Sequence, residues 1–240
     1  MLKQLPNLFT LANLSVGFVS ILLSANGDLL VASLFILAGA IFDFFDGFLA
    51  KRLNASSELG KQLDSLADLV TFGVSPAILM YYVLLLFPQV YSPYANYIVV
   101  LIPVFSALRL AKFNIDSSQS VSFTGLPTPA NALFFVSISI FIETLSYNLL
   151  DYFNPYGLLI CLVIIFSYLL TANLSFFSLK FEHFRWKSNE IRFLFLSLGL
   201  ILIIITFFMD LVGLTLAFII LLYVIFSLIN NLITKNEIQS

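Results

Sequence analysis

Eight mostly apolar stretches run along the chain, at roughly 8–25, 29–50, 63–86, 94–113, 127–146, 156–178, 191–209 and 212–233, with short polar segments between them. Each approaches the ~20 residues that an α-helix needs to cross the hydrocarbon of a bilayer. The pattern predicts an all-α fold, a polytopic membrane helix bundle of about eight transmembrane helices, with residues 1–240 forming one integral-membrane domain. The third stretch is the least hydrophobic at its start. The first has only Lys3 as a basic flank and carries Asn7, Thr10 and Asn13, so it reads as a retained span rather than a cleaved signal.

Composition agrees. The chain is 60% hydrophobic and 10% charged, where a soluble domain holds about a quarter charged residues. Its mean hydropathy is +1.04, and its 27 phenylalanines suit a lipid-facing surface. The net charge of −2 says nothing about nucleic acid, but no basic run is long enough to grip a phosphate backbone. The single cysteine, Cys161, lies in an apolar run and is expected to be a buried, inert thiol.

Charge placement orients the bundle. The eleven basic residues are Lys3, Lys51, Arg52, Lys61, Arg109, Lys112, Lys180, Arg185, Lys187, Arg192 and Lys235. With eight spans and a cytoplasmic N-terminus, all of them fall on or beside the cytoplasmic side. The opposite loops, near 26–28, 87–93, 147–155 and 210–211, carry only Asp28, Asp151 and Asp210. The positive-inside rule therefore puts both termini in the cytoplasm. The connection over 179–190 interleaves aromatic and basic residues, as an interfacial loop does, or a docking surface for anionic lipid. His183 stands there beside Glu182 and reads as solvated.

Four carboxylates break the apolar pattern. Asp43, Asp46, Asp64 and Asp68 lie close together in a chain with only 13 acidic residues, and an ionisable group at membrane depth is costly and tends to mark function. Asp43 and Asp46 share one helix face at i,i+3, and Asp64 and Asp68 share another at i,i+4. The second span runs inward and the third outward, so both pairs come toward the cytoplasmic ends of adjacent antiparallel helices. Four ionised carboxylates in one low-dielectric pocket repel, and protons or cations must compensate. An all-oxygen set suits Mg2+, Mn2+ or Ca2+ rather than zinc, and two divalent ions would balance the charge while leaving positions open to a diphosphate. Gly47 and Gly60, beside the aspartates, leave room for a substrate or a second backbone.

The stretch closely resembles the signature of the CDP-alcohol phosphatidyltransferases, D-x-x-D-G-x-x-A-R-(x8)-G-x-x-x-D-x-x-x-D, with every spacing kept over 43–68 and Lys51 in place of the arginine. Lysine keeps the charge and loses the planar fork. The resemblance implies a membrane-embedded enzyme that binds a CDP-activated alcohol, commonly CDP-diacylglycerol, transfers a phosphatidyl group to an acceptor hydroxyl and releases CMP. It implies Asp43, Asp46 and Asp64 as metal ligands, and Asp68 as both general base and ligand. Gly47, Lys51 and Gly60 would border the CDP moiety. The segment P6-N-L-F-T-L-A-N13 is similar to the family's opening segment, which brings Asn7, Thr10 and Asn13 near the nucleotide. A homodimer is also what the family implies.

Two further segments, A107-L-R-L-A-K-F-N114 and F123-T-G-L-P-T-P-A130, resemble bacterial and archaeal phosphatidylserine synthases of this family, with Lys112 again replacing an arginine. The substrates would then be CDP-diacylglycerol, entering from the lipid, and L-serine from the water. Arg109 and Lys112, at i,i+3 on the cytoplasmic end of the fourth span, are the candidates to hold the serine carboxylate. Their alternative reading is plain positive-inside anchoring. Pro127 and Pro129 either break the fifth span near the site or simply start a helix. Two competing functions remain: another acceptor, such as glycerol phosphate or an inositol phosphate, and a divalent-cation or proton transporter. Conduction would require polar residues continuing toward the outer face, where the spans are instead nearly all apolar.

Overall fold

The computed structural model describes residues 4–55, 57–88, 92–115, 123–144, 154–176 and 189–239. Lys3, Asp151, Lys180, His183, Arg185 and Lys187, and with them residues 179–188 of the aromatic–basic loop, lie outside this set. Among the described residues eight apolar helices follow one another: α1 Leu5–Ala25, α2 Leu29–Arg52, α3 Glu58–Leu85, α4 Leu101–Ile115, α5 Thr128–Thr144, α6 Tyr156–Thr171, α7 Glu190–Phe208 and α8 Thr215–Gln239. A 3-10 segment, Pro93–Val100, leads into α4, and another, Val212–Leu214, leads into α8. Six of these helical stretches are long and apolar enough to cross a membrane, and α5 and α6 are apolar but shorter. The protein is a polytopic membrane helix bundle.

The bundle is built with its small and polar side chains inward. The buried positions of α1 are Pro6, Thr10, Asn13, Gly17, Ser20 and Ser24, a stripe at alternating spacings of four and three, while Leu8, Leu11, Phe18 and Leu22 are exposed. Between helices already surrounded by lipid, burial of apolar surface offers little, and close backbone approach with inter-helix hydrogen bonds takes over. Ser20 Oγ donates to the Ala32 carbonyl at 2.8 Å and Ser75 Oγ donates to Ser20 Oγ at 2.9 Å, tying α1 to α2 and α3. Large apolar side chains gather instead around α5, the most enclosed helix, where Phe134 stacks on Phe166 of α6 at 3.6 Å.

Ser57 starts α3 as its N-cap, accepting a hydrogen bond from the Gly60 backbone N–H at 3.0 Å. The third span therefore begins at Glu58, five residues before the apolar pattern does, and its first turn is polar. Within it, Leu69–Val74 winds as a π-helix directly after Asp68. Thr71 in this segment donates to the Asn13 carbonyl at 2.9 Å. A side chain at either Gly17 or Gly39 would collide with Thr71, so these two glycines admit the π-turn between α1 and α2.

α6 ends at Thr171 rather than near 178. Ala172 turns extended, and the chain then forms the two-residue strand β2, Ser175–Phe176, antiparallel to β1, Phe123–Thr124. Gly125 N–H donates to the Leu174 carbonyl and Leu126 N–H to that of Leu169, so the α4–α5 connection is laced to the end of α6. Cys161 is exposed, contrary to expectation, because the inward face of α6 is Leu159, Val163, Phe166 and Leu170. Pro127 and Pro129 flank the first residue of α5 and leave its helix intact.

Candidate active site

The C-terminal half of α2 and the start of α3 bring the aspartates together. One ligand oxygen from each of Asp43, Asp64 and Asp68 lies within 4.8 Å of the others. Asp46, one turn beyond Asp43, is buried beside this trio, and its Oδ2 has no hydrogen-bond partner among the described residues. A buried carboxylate oxygen without a donor is costly unless something cationic or protic meets it. The donor set is entirely carboxylate, so the cluster fits a hard divalent cation. Asp68 is nearly buried, and its Oδ1 accepts from Asn13 Nδ2 at 3.4 Å. Asn13 thus orients Asp68. The other amide atom, Asn13 Oδ1, is buried without a partner among the described residues.

A cavity of about 540 Å³ opens on one side of the cluster. Asn7 and Thr10 of α1, Asp46 and Gly47 of α2, and Gly60, Lys61 and Asp64 of α3 line it, so three helices named by the sequence motifs meet at one hollow. Nothing packs against Gly47, and a side chain there would point into open space. At Gly60 a Cβ would sit 3.0 Å from Asn7 Oδ1, which makes this glycine a close-approach position between α3 and α1. Thr10 Oγ1 donates to the Pro6 carbonyl at 3.1 Å.

Two of the nucleotide candidates lie differently. Asn13, turned to Asp68, and Lys51, which is exposed, are not among the lining residues, whereas Lys61, which no motif singled out, is. Lys61 Nζ donates to the Asn114 carbonyl at 3.1 Å, and Asn114 Nδ2 donates to Ser65 Oγ at 2.8 Å, so the end of α4 is fastened to α3 beside the aspartates. The polar first turn of α3, hidden in sequence by its lack of hydrophobicity, was the signal that could have pointed to Lys61 and Ser57.

A second set of polar groups centres on Arg109 of α4. This arginine lies within electrostatic reach of the Asp68 carboxylate and of Tyr223 on α8. One guanidinium nitrogen, Nη1, donates to Thr128 Oγ1 at 3.1 Å, and its Nε is buried without a partner among the described residues. Arg109 and Lys112 line a second cavity of about 440 Å³, together with Thr124, Thr171 and Asn173. Asp46 and Asp64 thus line an acidic, glycine-bordered hollow, and Asp68 lies within electrostatic reach of the arginine of a basic one.

Residues 3–172 match the family model for CDP-alcohol phosphatidyltransferase. The chain belongs to that family. It is 35% identical over 192 residues to the CDP-diacylglycerol–serine O-phosphatidyltransferase of Bacillus subtilis (strain 168), which covers 79% of this chain and 96% of that protein. It is 30% identical over 195 residues to the protein of the same name from Helicobacter pylori, covering 80% of each. Archaetidylserine synthase of Methanothermobacter thermautotrophicus is 40% identical over 147 residues, 60% of each chain.

Proposed function

We propose that this protein transfers the phosphatidyl group of CDP-diacylglycerol to the hydroxyl of L-serine, forming phosphatidylserine and releasing CMP. The observation that carries this reading is that Asp46 and Asp64 line a glycine-bordered hollow while Asp68 lies within electrostatic reach of Arg109, which lines a basic one. A nucleotide diphosphate needs cations and close backbone approach, and an amino acid needs a fixed positive group for its carboxylate. The names of the relatives, two of them CDP-diacylglycerol–serine O-phosphatidyltransferase and one archaetidylserine synthase, support serine over other alcohols.

In this mechanism Asp43, Asp46, Asp64 and Asp68 would hold divalent metal, Mg2+ or Mn2+, as two ions. Bound there, the metal would neutralise the diphosphate and ease departure of CMP. Asn7, Thr10, Gly47 and Gly60 border the CDP moiety, with Lys61 at the same rim. Arg109 clamps the serine carboxylate, and Lys112 adds positive charge at the mouth of that hollow. Asp68 accepts the serine hydroxyl proton while Asn13 keeps the carboxylate in register. The serine oxygen then bonds to the phosphorus that carries diacylglycerol, and the phosphorus–oxygen bond to CMP breaks. CMP takes the electron pair and leaves by the cytoplasmic side, and phosphatidylserine leaves into the inner leaflet.

The orientation follows from the basic residues: both termini and the active site toward the cytoplasm, in the cytoplasmic membrane of a prokaryotic cell. A homodimer accords with the family. Chelation tests the metal assignment. Exhaustive EDTA treatment of purified protein should abolish CMP release, and excess Mn2+ or Mg2+ should restore it. Activity undiminished after chelation would overturn the role of the carboxylates.

A further inference from the structure

The basic hollow has a wall that hangs on the C-terminal helix. Thr124 lies on β1 at its lining, and Thr171 and Asn173 lead into β2. The β1–β2 ladder pairs only Phe123 with Phe176 and Thr124 with Ser175. So short a ladder is marginal by itself. Asn231 of α8 supplies what a third strand would. Its Oδ1 accepts from Ser175 N–H at 3.1 Å and its Nδ2 donates to the Ser175 carbonyl at 2.7 Å, so one amide satisfies both polar groups of one strand residue. The same Nδ2 donates to the Ser227 carbonyl at 2.7 Å, which fixes the amide's own orientation.

A second contact runs along the same helix face. Tyr223, eight residues earlier, has its ring 5.4 Å from that of Phe176, and it lies within electrostatic reach of Arg109. One face of α8 therefore touches both the strand wall and the neighbourhood of the arginine. Asn231 and Tyr223 both fall outside the family-matched residues 3–172. A residue there can tune acceptor seating without touching the carboxylate chemistry.

We infer that Asn231 is a positioning residue for the acceptor: it holds the β1–β2 wall of the hollow that contains Arg109, and so sets how the amino acid is seated. This rests on the reading of that hollow as the acceptor side. Asn231 touches neither the aspartates nor the CDP cavity, so its loss moves serine use and spares CDP-diacylglycerol.

The test is a two-substrate kinetic comparison of purified full-length Asn231→Ala, Asn231→Asp and Arg109→Gln in detergent micelles containing CDP-diacylglycerol. For Asn231→Ala the KM for serine should rise about tenfold while kcat and the KM for CDP-diacylglycerol stay within about twofold. Asn231→Asp keeps the acceptor for Ser175 N–H and should recover part of the loss. If Asn231→Ala does not fold, the aspartate variant decides by the same split. An unchanged serine KM in the Asn231 variants, with Arg109→Gln raising it, would overturn the positioning role alone. Parallel rises in both KM values would overturn it too, showing a merely structural amide. An unchanged serine KM in Arg109→Gln would remove the acceptor reading beneath it.

Discussion

Asp68 stands where three demands meet. It belongs to the carboxylate trio, accepts from Asn13 Nδ2, and faces Arg109. As a general base it needs a lone pair free toward the acceptor and a partner that fixes its rotamer. Asp68→Asn keeps shape and loses basicity, so kcat for CMP release should fall by about 10²-fold or more. Binding of CDP-diacylglycerol, read by isothermal titration in detergent, should weaken far less than kcat falls; equal losses would mean a ligand role alone. The two lysines separate by position: both are exposed, but Lys61 lines the CDP hollow and Lys51 does not. Lys61→Ala should therefore raise the KM for CDP-diacylglycerol several-fold, and Lys51→Ala should raise it less. The reverse order in steady-state kinetics would restore the motif's own ranking.

Among the elements, α3 does the most to shape the site. Its polar first turn supplies the CDP rim, the turns after it the aspartates, and its π-segment the contact with α1. A π-turn inserts one residue into the helical register, which re-aims the side chains around it and often accompanies function. Gly17 and Gly39 exist in this structure to let Thr71 through. Gly17→Val should cost about 1–3 kcal/mol by overpacking and lower both the thermal transition in detergent and activity. Gly199→Val, where nothing stands within 4 Å, should be neutral in the same assays. Equal effects would mean that the close approach is not what Gly17 provides. The eight apolar helices and the level of the aspartates were legible in the sequence because hydropathy and i,i+3 or i,i+4 spacing are local signals. The start of α3 was not, since a polar first turn carries no hydrophobic period. The early end of α6 at Thr171 and the exposure of Cys161 were also hidden, because each depends on which face meets distant chain.

Across the whole molecule, helix ends that carry charge converge. Lys61 reaches Asn114, Arg109 reaches Thr128, and Asn231 reaches Ser175, which join the ends of α3, α4, α5, α8 and the strand after α6. At the opposite end Tyr156 Oη donates to Asn96 Oδ1 at 2.6 Å, and no carboxylate cluster occurs there among the described residues. This polarity agrees with a one-sided enzyme: among the described residues the carboxylate group stands at one end of the bundle. Orientation is testable by thiol labelling in a Cys161→Ser background. Ala55→Cys, at the CDP hollow, should resist a membrane-impermeant maleimide in intact cells and react in inside-out vesicles, and Asn26→Cys should do the opposite. Labelling of Ala55→Cys from outside would invert the topology.

The central claim joins the metal-fitting carboxylates to transfer onto serine. Purified protein should release CMP from CDP-diacylglycerol with Mn2+ or Mg2+ when L-serine is present, with phosphatidylserine formed in equal amount. Omitting serine, or replacing it with glycerol phosphate or inositol phosphate, should reduce CMP release to background. CMP release that ignores serine while following one of those other acceptors would contradict the account.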